Sequence, residues 1–252
     1  MRDCARSGPL YHQDNNLAGI LFIISAPSGS GKSTLVKHLR SRVTGLDFSV
    51  SYTTRAPRGT EQPDREYHYT TPAKFQEMID KGEFLEWASV FDNYYGTACQ
   101  SLIDAEAVGH DLLLDIDVQG AGKVREKMPD AVSIFVLPPN PDILSQRLRD
   151  RSIEEGKLDE AQIARRLAKA RGEIENYSQY DYILVNDILK DAVESLTAIV
   201  KTERARRHGA PQDPEIARMT QLADKCRQTN ATGRLYPVLA SFGLLDVHAT
   251  RA

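Results

Sequence analysis

Cysteine is scarce in this chain, and so are the other marks of a secreted, membrane-bound or nucleic-acid-coating protein. Three cysteines (Cys4, Cys99, Cys226) in 252 residues make neither a disulfide framework nor a metal cluster. The longest apolar run, Gly19 to Ile24, is far short of the ~20 residues that a membrane-crossing helix needs. The N-terminal Met1-Arg-Asp-Cys-Ala-Arg-Ser-Gly8 lacks the apolar core of a signal peptide. Positive charge is in no excess: 32 Lys and Arg stand against 35 Asp and Glu, a net charge of −3. Such a balance excludes a protein whose business is duplex nucleic acid, so any phosphate handled here must be met by a few focused cations. No internal repeat or low-complexity tract is present. The expectation is a cytoplasmic protein that engages neither membrane nor nucleic acid. Nothing in the sequence fixes the oligomeric state, and a homo-oligomer stays open.

What is present is an ordinary globular composition, 41% hydrophobic and 27% charged, in a length that suits one substantial α/β domain with embellishments. Residues 1–18 are polar and aperiodic and read as a flexible tail. Ile20–Ile24, Leu112–Ile116, Ile134–Leu137 and Tyr182–Val185 have the texture of strands buried on both faces, as in a parallel sheet. The spacing predicts helices over Leu35–Arg42, Pro141–Arg151, Ile163–Tyr177 and Ile188–Arg207. Asn140-Pro141-Asp142 supplies a cap, an N1 proline and a first-turn acid, and Gly209 with Pro211 stops the last helix. Between Phe48 and Thr97 the texture changes to alternating Thr, Tyr, Phe and Val around a helical Pro72–Lys81, which predicts a small inserted β lobe. Residues 147–171 are rich in arginine and acids and poor in large apolar groups, the pattern of a mobile lid. Residues 210–252 carry two weakly helical patches with no evident partner.

The first chemical motif is Ala26-Pro27-Ser28-Gly29-Ser30-Gly31-Lys32-Ser33-Thr34, which follows a buried strand and opens a helix. Its spacing is that of the P-loop, G-x-x-x-x-G-K-[ST], with alanine in the first glycine position. Gly29 and Gly31 can take the backbone angles that aim successive N–H groups at phosphate oxygens, and the helix adds its positive dipole end. Lys32 would reach the β- and γ-phosphates, and the Ser33 hydroxyl would ligate Mg²⁺. A glycine-rich turn that binds nothing would not need strand, loop, lysine, hydroxyl and helix in register. The second is Leu112-Leu-Leu-Asp115-Ile-Asp117, a strand ending in acids, where a carboxylate such as Asp115 holds Mg²⁺ directly or through water. The bland alternative is a strand that leaves the sheet through acidic residues. The fold class expected is α/β, a P-loop NTPase-type parallel sheet flanked by helices, with an inserted mixed β lobe and a helical lid.

Arg55 and Arg58, in Ser51-Tyr-Thr-Thr-Arg-Ala-Pro-Arg58, lie in the β lobe with Tyr67. Two guanidinium forks and a phenol can bind a phosphate dianion, although either arginine in isolation would more often be a solvated surface charge. Together with Asn93-Tyr-Tyr-Gly-Thr97, Leu114-Asp-Ile-Asp-Val-Gln-Gly-Ala121, Val185-Asn-Asp187 and the P-loop, this segment resembles guanylate kinase in motif order and spacing, over about residues 19–208. The resemblance implies an ATP-dependent nucleoside monophosphate kinase that makes GDP and ADP from GMP and ATP with Mg²⁺. It implies that Arg55, Arg58, Tyr67 and Tyr95 hold the GMP phosphate, and that Ser51, Glu86, Thr97 and Asp117 read the guanine. Arg147, Arg151 and Arg166 would close over the transferring group beside catalytic Lys32 and Arg55, and Asn186 would sit near the adenine of ATP. The bottom-up reading agrees: guanine presents N1–H and N2–H₂ donors on one edge, which suit carboxylates, whereas adenine presents a lone pair there.

The implied domain, 19–208, divides into a core (19–50, 98–146, 178–208), a GMP-binding lobe (51–97) and a lid (147–177), with 209–252 an extension of unknown role. Three departures from the family pattern stand out. Asp64 replaces a usual glycine. The segment between Arg151 and Arg166 is about four residues long in excess, so that Arg165 competes with Arg166 for the lid role. The extension has no counterpart in the compact bacterial-type enzymes. Three other functions fit the sequence less well. A phosphopeptide-binding scaffold module would carry a degraded P-loop, and this one is intact. A GTPase would carry Asn-Lys-x-Asp, which is missing, while an adenylate kinase would not have a β-rich acceptor lobe with Glu86.

Overall fold

The computed structural model describes residues 19–59, 61–90, 92–154, 159–209 and 213–245. The N-terminal tail, residues 155–158 of the lengthened lid segment, and the end of the extension lie outside them. The strands are β1 (Leu21–Ser25), β2 (Leu46–Ser49), β3 (Tyr52–Thr53), β4 (His68–Tyr69), β5 (Phe84–Val90), β6 (Asn93–Ala98), β7 (Asp111–Asp115), β8 (Val132–Leu137) and β9 (Tyr182–Val185). The helices are α1 (Lys32–Arg40), α2 (Pro72–Asp80), α3 (Cys99–Ala107), α4 (Val118–Lys127), α5 (Pro141–Glu154), α6 (Glu160–Ile174), α7 (Leu189–His208), α8 (Pro214–Cys226) and α9 (Thr232–Ser241). They fall into two compact units. One joins residues up to Ile24 with Gly45–Val132, and the other joins Ser25–Thr44 with residues from Ser133 onward.

In the first unit β7 lies between β2 and β1, all three parallel, with Leu21 opposite Leu112 and Leu46 opposite Asp111. β1 is buried along its whole length, as its uninterrupted apolar run requires. β2 escaped the sequence reading because it is short and its Asp47 and Phe48 are only half-buried. A second, mixed sheet has the order β4-β3-β6-β5. Its hydrophobic support is Phe75 and Met78 of α2 against Phe84, with Phe75 stacked on Phe84 at 4.5 Å and on Tyr94 at 5.4 Å. Thr71 caps α2 by accepting from the Lys74 N–H, with Pro72 in its first turn. α4 was not legible as a helix because Gly120 and Gly122 depress its propensity; Asp117 starts it by accepting the Gly120 N–H at 2.9 Å.

In the second unit β8 and β9 are parallel, Ile134 opposite Tyr182, and β8 is fully buried. α7 buries five consecutive residues, Leu196–Val200, which is possible only with partners on more than one face. α1 supplies one partner and α8 the other. The C-terminal patches therefore have a partner that their weak periodicity did not reveal. α8 buries Met219, Ala223 and Cys226, and α9 buries Leu235, Val238 and Leu239. Polar groups tie α8 to the strand and helix beneath it: Glu203 accepts from Tyr182, Arg206 and Arg227, and Asp224 accepts from both arginines. Gly209, at φ +62°, ends α7 in the left-handed conformation. No described helix is long and apolar enough to cross a membrane.

Candidate active site

The phosphate loop lies in the second unit. Gly29 and Gly31 adopt φ of +90° and +85°, which turns the chain from β1 into α1 without a side-chain cap. The first N–H groups of α1 are thus left for an anion. Neither glycine has room for a side chain. A Cβ on Gly31 would lie 2.4 Å from Asn186 Nδ2, and one on Gly29 2.9 Å from Leu144. Asn186 is 4% exposed; its Nδ2 donates to the Ser30 carbonyl at 2.8 Å, and its Oδ1 has no partner among the described residues. Arg147 on α5 donates to the same Ser30 carbonyl (3.3 Å) and to the Asn186 carbonyl (3.1 Å). Asn186 and Arg147 thus brace the loop, through contacts between segments more than 100 residues apart that no local pattern announces. Lys32 is half-buried, and Ser33 and Thr34 are exposed on the first turn of α1. Arg151 is exposed on α5; on α6 Arg166 is 9% exposed, while Arg165 faces solvent.

The residues expected from the sequence to bind the acceptor lie in the first unit and form two groups. In the first, the Arg55 guanidinium sits 5.3 Å from the Tyr67 ring centre, and Tyr67 meets Tyr95 edge-on at 5.8 Å. Burial raises the Tyr67 phenol, and the charge of Asp115 raises it further, so it stays a donor. Asp115, half-buried at the end of β7, shares the unit. The second group is held by sheet register. Glu86 on β5 stands opposite Thr97 on β6, whose hydroxyl donates to Glu86 Oε1 at 2.7 Å. Glu86 is 5% exposed, and a Cβ on Gly120 of α4 would lie 2.5 Å from its Oε2. Burial, with the Asp117 charge beside it, pushes the Glu86 carboxyl up to about 7 against the pull of Thr97 and Lys123. Asp117 Oδ1 is spent on capping α4, and its buried Oδ2 has no partner among the described residues. Ser51, also buried, precedes β3.

Sequence reasoning missed Glu61 and Lys123 here. Glu61 accepts from Arg55 and Tyr69, and Lys123 donates to the Trp87 carbonyl from a position over its ring. Glu61 lies six residues beyond Arg55 across a turn, a spacing with no periodic signature. Asp64 takes φ +63°, the conformation in which the family's glycine is at ease, and its carboxylate meets His68 Nδ1 at 2.6 Å. The glycine-like turn is kept by a different residue. No group of three or more His, Cys, Asp or Glu that could hold a metal occurs among the described residues.

A P-loop braced from behind, a β lobe carrying arginines, tyrosines and the buried Glu86, and Asp117 at the start of α4 are the parts of a phosphotransferase that takes a small nucleotide acceptor. The comparisons narrow this further. Residues 19–203 match the family model "Guanylate kinase". The chain is 52% identical over 226 residues to the guanylate kinase of Koribacter versatilis (strain Ellin345), covering 90% of this chain and 97% of the relative. It is 46% identical over 190 residues to that of Aromatoleum aromaticum (75% and 91%). The crystal structure of guanylate kinase from Anaplasma phagocytophilum superposes with a TM-score of 0.60 at 32% identity, covering 73% of this chain and 86% of that one. The chain belongs to the guanylate kinase family. The 226 matched residues exceed the 208 that precede the extension, so the Koribacter relative shares part of it.

Proposed function

We infer that the chain is an ATP:GMP phosphotransferase that moves the γ-phosphoryl group of ATP to GMP, giving ADP and GDP, and that it works in the cytoplasm with Mg²⁺ as cofactor. The observation that carries the choice of acceptor is a buried Glu86 beside a half-buried Asp117. Glu86 is 5% exposed, and Asp117 keeps a buried Oδ2 with no partner among the described residues. Guanine N1–H and N2–H₂ supply the complementary donors; adenine would set a lone pair against a carboxylate.

The loop N–H groups and Lys32 would cradle the β- and γ-phosphates. Ser33 and Asp115 are oxygen donors that suit a hard cation, and Mg²⁺ held by them would neutralise charge developing on the transferring group. Arg55, Arg58, Tyr67 and Tyr95 would fix the GMP phosphate, and Arg147, Arg151 and Arg166 would stabilise the phosphoryl group in flight. Residues 147–177 would act as a lid that excludes water. Asn186 is proposed to hold the loop in shape as well as to border the adenine. A coupled assay of GMP, dGMP, AMP, CMP and UMP with Mg·ATP tests the reading. GMP should exceed AMP, CMP and UMP by at least ~10³ in kcat/KM, and comparable turnover of AMP would overturn it.

A further inference from the structure

The phosphate-binding arginines of the acceptor lobe converge on one carboxylate with no assigned role. Arg55 Nη2 donates to Glu61 Oε1 at 3.0 Å and to Oε2 at 2.9 Å, and Arg55 Nη1 donates to the Ala56 carbonyl at 2.7 Å. The Arg58 backbone N–H donates to Glu61 Oε2 at 2.8 Å, and the Glu61 N–H returns a bond to the Arg58 carbonyl at 2.9 Å. Tyr69 donates its hydroxyl to the same Oε2 at 2.9 Å from β4, two residues beyond Tyr67. One side chain thereby fixes the Arg55 guanidinium, the turn that carries Arg58, and the strand that follows Tyr67.

We propose that Glu61 is a positioning residue for the acceptor phosphate, registering Arg55, Arg58 and Tyr67 as one preformed anion site. This rests on the reading that these three residues hold the GMP phosphate. The pair is sheltered, with 9% of the Arg55 side chain and 18% of the Glu61 side chain exposed, so it is screened less than a surface ion pair. An arginine has five N–H donors in a rigid fork. Glu61 and Ala56 fix the plane of the fork through its Nη atoms, and the remaining donors are then oriented before the phosphate arrives. A freely rotating guanidinium would have to lose that freedom on every binding event. Burial raises the Glu61 carboxyl, but the Arg58 N–H, Arg55 and Tyr69 outweigh it and hold the group ionised below its ordinary range. The Tyr69 phenol is pushed up to about 12, by burial and then by Glu61, so it remains a donor.

The opposite role is a carboxylate that occupies the phosphate's place and must be displaced. The two roles predict opposite signs. In Glu61→Gln the charge is lost, and an amide NH₂ is set among donors. Calorimetric titration of GMP and of guanosine into wild type and variant separates the cases. Positioning predicts that GMP binds at least ~10-fold more weakly while guanosine, which has no phosphate, changes by less than twofold; KM for ATP should stay within twofold. Tyr69→Phe removes a single bond, should fold whatever Glu61→Gln does, and should weaken GMP by about two- to fivefold with guanosine unchanged. GMP binding that is unaltered or tighter in Glu61→Gln, or equal weakening of GMP and guanosine, would overturn the proposal. If wild type binds GMP but transfers nothing to it, the reading of the reaction fails while the positioning role is still measured.

Discussion

Glu86 carries the most consequential charge in the acceptor lobe. Burial and the neighbouring Asp117 raise its carboxyl to about 7, against an ordinary 4.5. For an acid whose folded value is raised, the unfolded chain releases its proton first. Stability from this group is therefore full below pH 4.5 and declines as the pH rises toward 7. In the proposed role of Glu86, guanine recognition runs the other way, because only the carboxylate can accept from both donors. GMP affinity should be about tenfold weaker at pH 6 than at pH 8, with proton release on binding at pH 6, both measurable by calorimetry. In Glu86→Gln the pH dependence should shrink to that of the GMP phosphate itself, which titrates at about pH 6, and kcat/KM for GMP over AMP should fall by ~10²-fold. A ratio within about threefold of wild type would remove Glu86 from the guanine site. Lys32→Met should fold normally and lose at least ~10² in turnover, as expected when a fixed partner of transition-state charge is removed. Asp64 tests the turn backbone at the cost of one exposed side-chain contact to His68: at φ +63°, Asp64→Gly should preserve stability to within ~1 kcal/mol, whereas Asp64→Val should cost more, read by urea denaturation.

Helix α4 shows an element whose local preference is subordinate to its position. Gly120 weakens the helix by about 1 kcal/mol relative to alanine. An alanine there would place its Cβ 2.5 Å from Glu86 Oε2, while the Gly120 N–H satisfies the cap at Asp117. Gly120→Ala should therefore leave thermal stability nearly unchanged or slightly higher while raising KM for GMP at least ~10-fold. A KM within twofold of wild type would show that Glu86 has room to move. The short strand pair β5–β6 works similarly: register sets Thr97 opposite Glu86, and a one-residue slip would turn both side chains to the other face.

At the scale of the whole molecule, the C-terminal extension is part of the second unit's core. Reading the sequence alone, one would expect residues beyond Gly209 to be dispensable for chemistry, since they carry no ligand at a recognisable spacing, with any effect of their loss confined to assembly or solubility. Truncation there would uncover the face of α7 against α8 and strip Glu203 and Arg206 of their bonds to Arg227 and Asp224. The lost burial of Met219, Cys226, Leu235, Val238 and Leu239 alone exceeds ~5 kcal/mol at 1.5–3 kcal/mol per large side chain. The truncated chain should be insoluble or at least ~3 kcal/mol less stable in urea. Unaltered stability would return the extension to the status of an appendage.

The core strands, most helices and the phosphate loop were determined by the sequence itself, because burial on both faces, helix caps and a loop of fixed spacing are local properties. Membership of the family was legible too, through several motifs occurring in one order. What the tertiary structure decided were contacts between segments far apart in sequence. Asn186 braces a carbonyl 156 residues away. Glu61 is recruited by a turn whose closure no periodicity announces, and α7 acquires a second partner, α8, from beyond its own C-terminal stop. The same division holds for charge. Composition showed only that cations must be focused, whereas the raised Glu86 carboxyl and the depressed Glu61 carboxyl arise from burial and from donors that folding alone brings within bonding distance.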